Sequence, residues 1–501
     1  MSTSLSERVL SIYKLTPKQR TVALERGRDI VVTAGAGSGK TRTLVARYAC
    51  LLADGLSPRR VVAVTFTEKA AREMRSRVRE GLGELVQKAE DDLERQAWLN
   101  LNSQIDSARI GTIHSLCAEI LRAHPAEAGV DPRFDVLDEG MSAALRVQVL
   151  NDTLNMLVGL PEYTLLFKIL GTSSLQELLD TLLKRRLEAQ ESFQQNVDGE
   201  KTIIQFITNM LNSLLLADPI AELRGMTASV LANDAGDKLT NMVKVLLQLW
   251  SEAESALEDG DGIACAEKLF QARRENMLGT IGSKSSKAKE SVKALKNAYD
   301  EMLNPIIGGA NSKDVPPSRE SETSFAQLQP LVRSAFEILH QSYIASLAKR
   351  HALDFDDLEY GAAQLLKRDD IRTRWQDELD ALLVDEFQDT NARQREIVEA
   401  LAGKGGHLFV VGDARQSIYR FRRADVTVFR AIQQKVESEG GLVMDLDVTY
   451  RAHEPLLDTM SDMLSTVMGN TEDPTRPYYV PFSPLTASRK DVPEHLSLIH
   501  I

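Results

Sequence analysis

Asp29-Ile30-Val31-Val32-Thr33-Ala34-Gly35-Ala36-Gly37-Ser38-Gly39-Lys40-Thr41 decides how the rest of the 501-residue chain is read. The β-branched run Asp29–Thr33 predicts a short buried strand. A Gly-rich turn follows, then Thr41–Leu52, where Leu44, Val45, Tyr48, Leu51 and Leu52 share one helical stripe. Strand, Gly-rich turn and helix is the context that a phosphate-binding loop requires. Glycines let backbone N–H groups turn toward phosphate oxygens, and the helix N-terminus adds a favourable dipole. Ala34, Gly35, Ala36, Gly37, Ser38, Gly39, Lys40 and Thr41 form that loop, with Ala34 where the strict pattern has glycine. Lys40 has the reach for β- and γ-phosphates, and Thr41 offers a hydroxyl to Mg2+. Arg42, next in line, is grouped with the nucleotide contacts. ATP and Mg2+ are the expected ligands.

Such a loop needs an acidic partner on another strand. Asp385-Glu386 ends the apolar run Ala381–Val384. Asp385 is expected to hold Mg2+, and Glu386 to orient or deprotonate an attacking water. Lys40 and Asp385 stand 345 residues apart, a separation that small nucleotide kinases do not show.

Working outward, Val61–Thr65 and Ala108–Thr112 read as further buried strands, each with a helix after it. Thr67 is placed to cap the first of these helices, and the second is expected over Ser115–His124. Strand signals return at Ala381–Asp385, Leu408–Gly412 and Leu442–Leu446. Continuous apolar strands alternating with helices predict a parallel sheet covered on both faces. Between about residues 140 and 300 the chain is Leu-rich and lacks strand-like runs, which predicts a helical insertion into one α/β domain. Gly282–Ser291 and Asn304–Ser324 read as exposed linkers from their small, polar, Gly- and Pro-containing composition.

The segment around the acidic pair, Asp385-Glu386-Phe387-Gln388-Asp389, resembles motif II of the superfamily 1 DNA helicases of the UvrD/Rep type. Leu15–Gln19 resembles their Q motif, Val64–Ala71 motif Ia, Gly111–Ser115 motif Ib, Val411–Arg422 motif III and Leu446–Arg451 motif IV. With the phosphate-binding loop that makes seven motifs in the family's order. The resemblance implies that Gln19 reads the adenine edge, Gln416 senses the γ-phosphate, Arg451 acts as an arginine finger and Tyr450 stacks on adenine. Thr449 stands where the family usually has asparagine. Phe66, Thr67, His114, Tyr419, Phe421 and Arg422 become the expected DNA contacts, aromatic faces giving sequence-tolerant stacking. Taken alone, Phe421 reads as core and His114 as a structural histidine; the motifs reverse the first and leave the second even. Arg72, Arg75, Arg77 and Arg79 read either as a phosphate-binding face or as a solvated helix face.

The 271 residues between His114 and Asp385 exceed the expectation for simple UvrD/Rep helicases. That length, with Leu353–Leu358 and Asp131–Glu139, resembles the large helicase–nuclease proteins AddA and RecB, AddA most. The resemblance implies 3′-to-5′ movement on single-stranded DNA, a role in double-strand break repair and recombination, and an AddB-like partner beside single- and double-stranded DNA. The expected fold is a RecA-like parallel α/β sheet in two parts, residues 1–125 and 331–441. A helical insertion fills 126–330, and 442–501 opens a second RecA-like domain. Motifs V and VI and a nuclease domain are not found before Ile501, so the chain reads as truncated and is expected to bind nucleotide but unwind poorly.

Composition sets the outer limits. The net charge is −12, yet residues 1–80 carry 16 basic and 7 acidic side chains, leaving −21 on the remainder. A basic coat is excluded; a locally positive groove is not. Cys50, Cys117 and Cys265 are far apart and form no C-x-x-C pair, which excludes a disulfide framework. No apolar run is long enough to span a bilayer and the N-terminus lacks a signal-peptide pattern, so the expectation is a cytoplasmic protein without membrane contact. Two rivals remain: a P-loop DNA-binding protein without motor activity, and a small-substrate kinase. Within the family, a UvrD/Rep-type helicase without nuclease, or an inactive remnant, are the alternatives.

Overall fold

A computed structural model describes residues 5–194, 205, 207–211, 238–274, 319–403, 405–420, 423–471 and 478–490. The chain forms two compact units, residues 1–140 with 350–501, and residues 141–349.

The first unit is built on a sheet of six strands: β1 (Ile30–Ala34), β2 (Val61–Thr65), β3 (Ile110–Thr112), then, after the two-residue pair β4 (Asp135–Val136) and β5 (Ala352–Leu353), β6 (Ala381–Val384), β7 (Leu408–Gly412) and β8 (Leu442–Leu446). The order is β3-β2-β6-β7-β1-β8, and every pairing is parallel. Side chains alternate between the two faces, as the period of a strand demands. Ile30, Val32, Val61, Ala63, Leu383, Phe409 and Val411 enter one core, under the helices Leu5–Tyr13, Lys40–Ala53 and Glu68–Lys88. Val31, Val62, Val64, Leu382, Val384, Leu408 and Val410 enter the other, under Ile113–Ala123, Phe355–Leu366, Ala392–Ala402 and Val426–Ser438. Burial on both faces is why these strands read as unbroken apolar runs.

The topology places each motif at a carboxyl end of this sheet. The glycine turn follows β1, Phe66 follows β2, the helix bearing His114 follows β3, Asp385-Glu386 follows β6 and Gln416 follows β7. Open parallel sheets bind ligands at that edge.

Two expected boundaries move. Leu442–Leu446, read as the opening of a second domain, is an edge strand of the first sheet, in register from Ile30↔Leu442 to Ala34↔Leu446. Leu442, Met444 and Leu446 pack on one core and Val443 on the other, which fixes the strand there. The next strand, β9 (Val448–His453), leaves this sheet and pairs in parallel with β10 (Thr486–Arg489). The helical unit ends at residue 349, not 330: the helix Arg319–Lys349 runs through Pro330 without a break. At its other end, β4 pairs with β5 as Asp135↔Ala352 and Val136↔Leu353, which keeps residues 126–140 in the first unit.

The described residues of the second unit are helical, including Thr164–Lys184, Lys238–Glu258 and Gly262–Arg274. Of the expected linkers, Gly282–Ser291 lies outside the described residues, as does Asn304–Ser324 up to residue 318. Residues 319–324 are helical.

Candidate functional site

The glycine turn is held from below and from one side. The Ser38 hydroxyl donates to the Gly35 carbonyl at 2.8 Å, closing the loop on itself. Gly37 and Gly39 have φ of +76° and +89°, a region open to glycine at little cost. A Cβ on Gly39 would lie 2.8 Å from Gln19 Nε2; one on Gly37 would lie 2.6 Å from Arg451 Cβ. The loop is a cradle that side chains at these two positions would fill.

Gln19 is buried and both ends of its amide serve the protein. Its Nε2 donates to the Ser38 carbonyl at 2.8 Å, and its Oε1 accepts from the Thr16 amide at 2.9 Å in a capping box. Here it braces the glycine turn.

Lys40 opens the helix after the cradle. Its ammonium donates to Glu386 Oε2 at 2.8 Å and to Gln416 Oε1 at 3.3 Å. Three strands thus bring together residues from three distant motifs. Gln416 is held by Asp413, whose Oδ2 accepts from its Nε2 at 2.7 Å. Gln388 bridges the same groups: its Nε2 donates to Glu386 at 2.8 Å, and its Oε1 accepts from the Asp413 amide at 2.9 Å. Sequence reasoning quoted Gln388 and Asp413 within motifs but gave them no role. Their spacing along the chain carries no sign of this bridge.

Glu386 has a left-handed backbone, φ +50°, a strained state for a non-glycine residue. Asp385 is raised to about 6, by burial first and then by the adjacent Glu386, with Lys40 acting against both. Asp389 is also raised to about 6, again by burial and Glu386. A cluster rich in carboxylates and holding one lysine is suited to a divalent cation bound with phosphate oxygens. Among the described residues no group of three or more His, Cys, Asp or Glu forms a metal cage. The donor set therefore fits Mg2+ held through Thr41, Asp385 and phosphate rather than by protein alone.

The segment after β8 docks on the cradle. Thr449 Oγ1 donates to the Ala36 carbonyl at 2.8 Å, and the Tyr450 amide donates to the Gly37 carbonyl at 3.0 Å. Threonine in place of the usual asparagine thus keeps a hydrogen bond to the loop. Arg451 is exposed and Tyr450 half-buried at this edge. Thr41 is half-buried and Arg42 exposed.

The expected DNA contacts fall into two places and one gap. Phe66 and Tyr419 pair, with ring centroids 4.7 Å apart. Thr67 is exposed and caps its helix, its Oγ1 accepting from the Ala70 amide at 3.1 Å. His114 stacks on Phe355, centroids 4.1 Å apart, and meets Glu359 at 3.0 Å. Phe421 and Arg422 lie outside the described residues. The arginine series resolves toward protein partners: Arg75 donates to the Ile110 carbonyl at 2.6 Å, Arg72 to the Glu68 carbonyl at 3.3 Å, Arg77 pairs with Glu73 and Arg79 with Asp106.

A parallel sheet with a glycine cradle, lysine, acidic pair and glutamine sensor at one edge defines a P-loop nucleotide-binding protein. Residues 15–437 match the UvrD/REP helicase N-terminal domain, and the chain belongs to that family. It is similar to the AddA component of the ATP-dependent helicase/nuclease of Geobacillus kaustophilus, 29% identical across 91% of this chain and 40% of the relative. The proteins of the same name from Syntrophomonas wolfei and Listeria monocytogenes are 26% and 27% identical, across 93% and 88% of this chain and 39% and 38% of theirs. The chain spans about two fifths of the length of these relatives.

Proposed function

We propose that this chain carries the nucleotide site and part of the strand-gripping surface of an ATP-driven DNA helicase of AddA type. The observation that carries the reading is the meeting of Lys40, Glu386 and Gln416 from the ends of β1, β6 and β7. A site that only bound nucleotide has no need of a glutamine touching the phosphate-reaching lysine.

In this reading Lys40 and the cradle residues Ala34 to Gly39 hold phosphates, with Arg42 beside them. Thr41 and Asp385 hold Mg2+, which supplies charge neutralisation at the phosphate oxygens. Glu386, freed from Lys40 by an incoming phosphate, orients or deprotonates water. Gln416 senses the terminal phosphate through its contact with Lys40. Arg451 offsets charge developing in the transition state and Tyr450 stacks on the base. Gln19 contributes through Ser38, and an adenine contact requires its two present hydrogen bonds to rearrange. Phe66, Thr67, His114 and Tyr419 meet the single strand; Phe421 and Arg422 join them on resemblance alone.

The relatives' name supports a helicase–nuclease context, double-strand break repair with recombination, and an AddB-like partner. Polarity of 3′ to 5′ rests on resemblance. The described helices include none long and apolar enough to cross a membrane, which is compatible with a cytoplasmic setting. The domain reading becomes a first RecA-like unit of residues 1–140 and 350–446, with the second opening after Leu446.

The deciding experiment is ATP hydrolysis with and without oligothymidylate, using Lys40→Ala as control. Single-strand stimulation lost in the control supports the motor. Binding of oligothymidylate without any hydrolysis, at full length of the gene product, favours the non-motor rival. Turnover indifferent to DNA and stimulated by a metabolite favours the kinase.

A further inference from the structure

Glu359 is a carboxylate at 4% exposure in the helix Phe355–Leu366, outside the nucleotide site. A buried charge persists only where donors satisfy it. Three side chains do so. His114 meets its Oε1 at 3.0 Å, Gln394 Nε2 donates to the same oxygen at 2.6 Å, and Asn391 Nδ2 donates to Oε2 at 3.0 Å. A carboxylate only accepts, so the His114 Nε2 facing it carries the proton. Burial acts to raise the Glu359 pKa; the hydrogen bonds from His114, Asn391 and Gln394 outweigh it and hold the group below the usual range.

The donors come from separate motifs. His114 begins the helix after β3; Asn391 and Gln394 cap and open the helix that follows the acidic loop 385–389. One turn earlier on the Glu359 helix, Asp356 receives both Arg423 guanidinium nitrogens, at 2.8 and 3.2 Å, from just beyond motif III. Residues three apart share a helix face. One face of one helix therefore gathers the segments that follow β3, β6 and β7. Phe355, from the same helix, covers one face of the His114 ring, while about a quarter of that side chain stays exposed.

We propose that Glu359 is a positioning residue for single-strand binding: it fixes the His114 imidazole for the strand and ties it to the helix after the acidic loop. The inference rests on the helicase reading, in which His114 touches DNA.

The geometry says why a carboxylate is required. In Glu359→Gln, the new NH2 group faces a donor whichever way the amide is turned: Asn391 Nδ2 on one side, His114 and Gln394 on the other. Asn391 cannot flip to accommodate it, because its Oδ1 accepts from the Gln394 amide at 2.8 Å in the helix cap. Replacing Asn391 with Asp supplies an acceptor at that place and keeps the cap.

The test measures oligothymidylate affinity by fluorescence anisotropy, and ATP affinity as control, for H114A, E359Q, H114A/E359Q and E359Q/N391D. We expect H114A and E359Q each to weaken oligothymidylate binding about five- to tenfold, as loss of one strand contact does. ATP affinity stays within about twofold, the histidine double variant is no weaker than H114A, and E359Q/N391D recovers most of the loss. If H114A weakens binding and E359Q does not, or if their effects multiply, the inference falls while the helicase reading stands. If H114A itself has no effect, the strand-contact reading of His114 falls and takes the inference with it. Where E359Q does not fold, E359Q/N391D carries the test: oligothymidylate affinity near the unmodified level supports the proposal, and affinity as low as that of H114A overturns it.

Discussion

Lys40 Nζ lies 2.8 Å from Glu386 Oε2, though 346 positions separate the two residues in the chain. The lysine side chain is 11% exposed and the glutamate 35%. Phosphate must displace this carboxylate before the ammonium is available to it, so the pair competes with nucleotide. Glu386→Gln removes the competitor and keeps the shape. The pair is partly solvated, which limits the effect to about 1 kcal/mol. ATP affinity is therefore expected to rise about three- to tenfold, read with a fluorescent nucleotide. Unchanged or weaker affinity would show that the pair does not gate the site.

Gln19 separates two mechanisms. If it acts by bracing Ser38, Gln19→Ala loosens the glycine turn for every nucleotide. ATP and GTP affinities then fall together, with a stability loss of about 1–2 kcal/mol for the cap and the buried hydrogen bond. If it reads the adenine edge, ATP alone suffers. A titration of both nucleotides against the variant decides between them, and the structure predicts the joint loss.

How much of this was legible beforehand follows from what each residue needs. Val61–Thr65 and Leu408–Gly412 announce themselves because both faces are buried, and an unbroken apolar run requires no partner to be recognised. Leu442–Leu446 was equally readable as a strand, but its neighbour was not: pairing with β1 is a long-range choice that local pattern does not encode. The roles of Gln19, Gln388 and Glu359 were hidden for the same reason. An amide or carboxylate has the same local signature whether it faces solvent, a carbonyl or a histidine. The sequence Asp354–Tyr360 reads as an acidic helix start, and only the fold brings His114 and Asn391 to it.

Gly37 offers a steric test. Its φ of +76° is poorly suited to a Cβ, and the added atom would lie 2.6 Å from Arg451 Cβ and 2.7 Å from Thr449 Oγ1. Gly37→Ala must either distort the cradle or push residues 449–451 off it, breaking the Thr449–Ala36 and Tyr450–Gly37 hydrogen bonds. A cost of about 1–3 kcal/mol is expected. Nucleotide affinity should drop at least tenfold and the melting temperature should fall. Gly55→Ala has no atom within 4 Å of its added Cβ and a similar positive φ, so it reports the backbone term alone.

Asp385 predicts a pH dependence with a definite sign. Burial and Glu386 raise its folded pKa from the ordinary 3.8 to about 6. Below the ordinary value both folded and unfolded chains hold the proton, and the group contributes no penalty. As pH rises through the folded pKa, the folded chain must carry a buried charge, and stability is lost. Asp385→Asn removes that charge while its Oδ1 can still accept from the Glu386 amide, a bond of 3.0 Å in the native chain. The variant should melt higher than the native chain at about pH 8, by up to about 3 kcal/mol, and the gain should shrink toward about pH 4. Its Mg2+-dependent ATP binding should nevertheless weaken. A stability gain that grows on acidification would mean that Asp385 is favourably ionised in the fold.

Phe66 and Tyr419 stand 4.7 Å apart at the ends of β2 and β7, and their pairing predicts how they meet a strand. Stacking of a base on one aromatic ring contributes about 1–3 kcal/mol and tolerates any sequence. Each of Phe66→Ala and Tyr419→Ala should weaken oligothymidylate binding about five- to a hundredfold. The rings also hold each other, so removing one leaves the other free to turn. The double variant should therefore lose less than the product of the single losses, by at least about twofold. Loss of an aromatic contact should leave the salt dependence of binding unchanged, because no phosphate contact is removed. A change in the slope of affinity against salt would instead place these residues beside the backbone. Fully multiplicative losses would mean that they contact the strand independently.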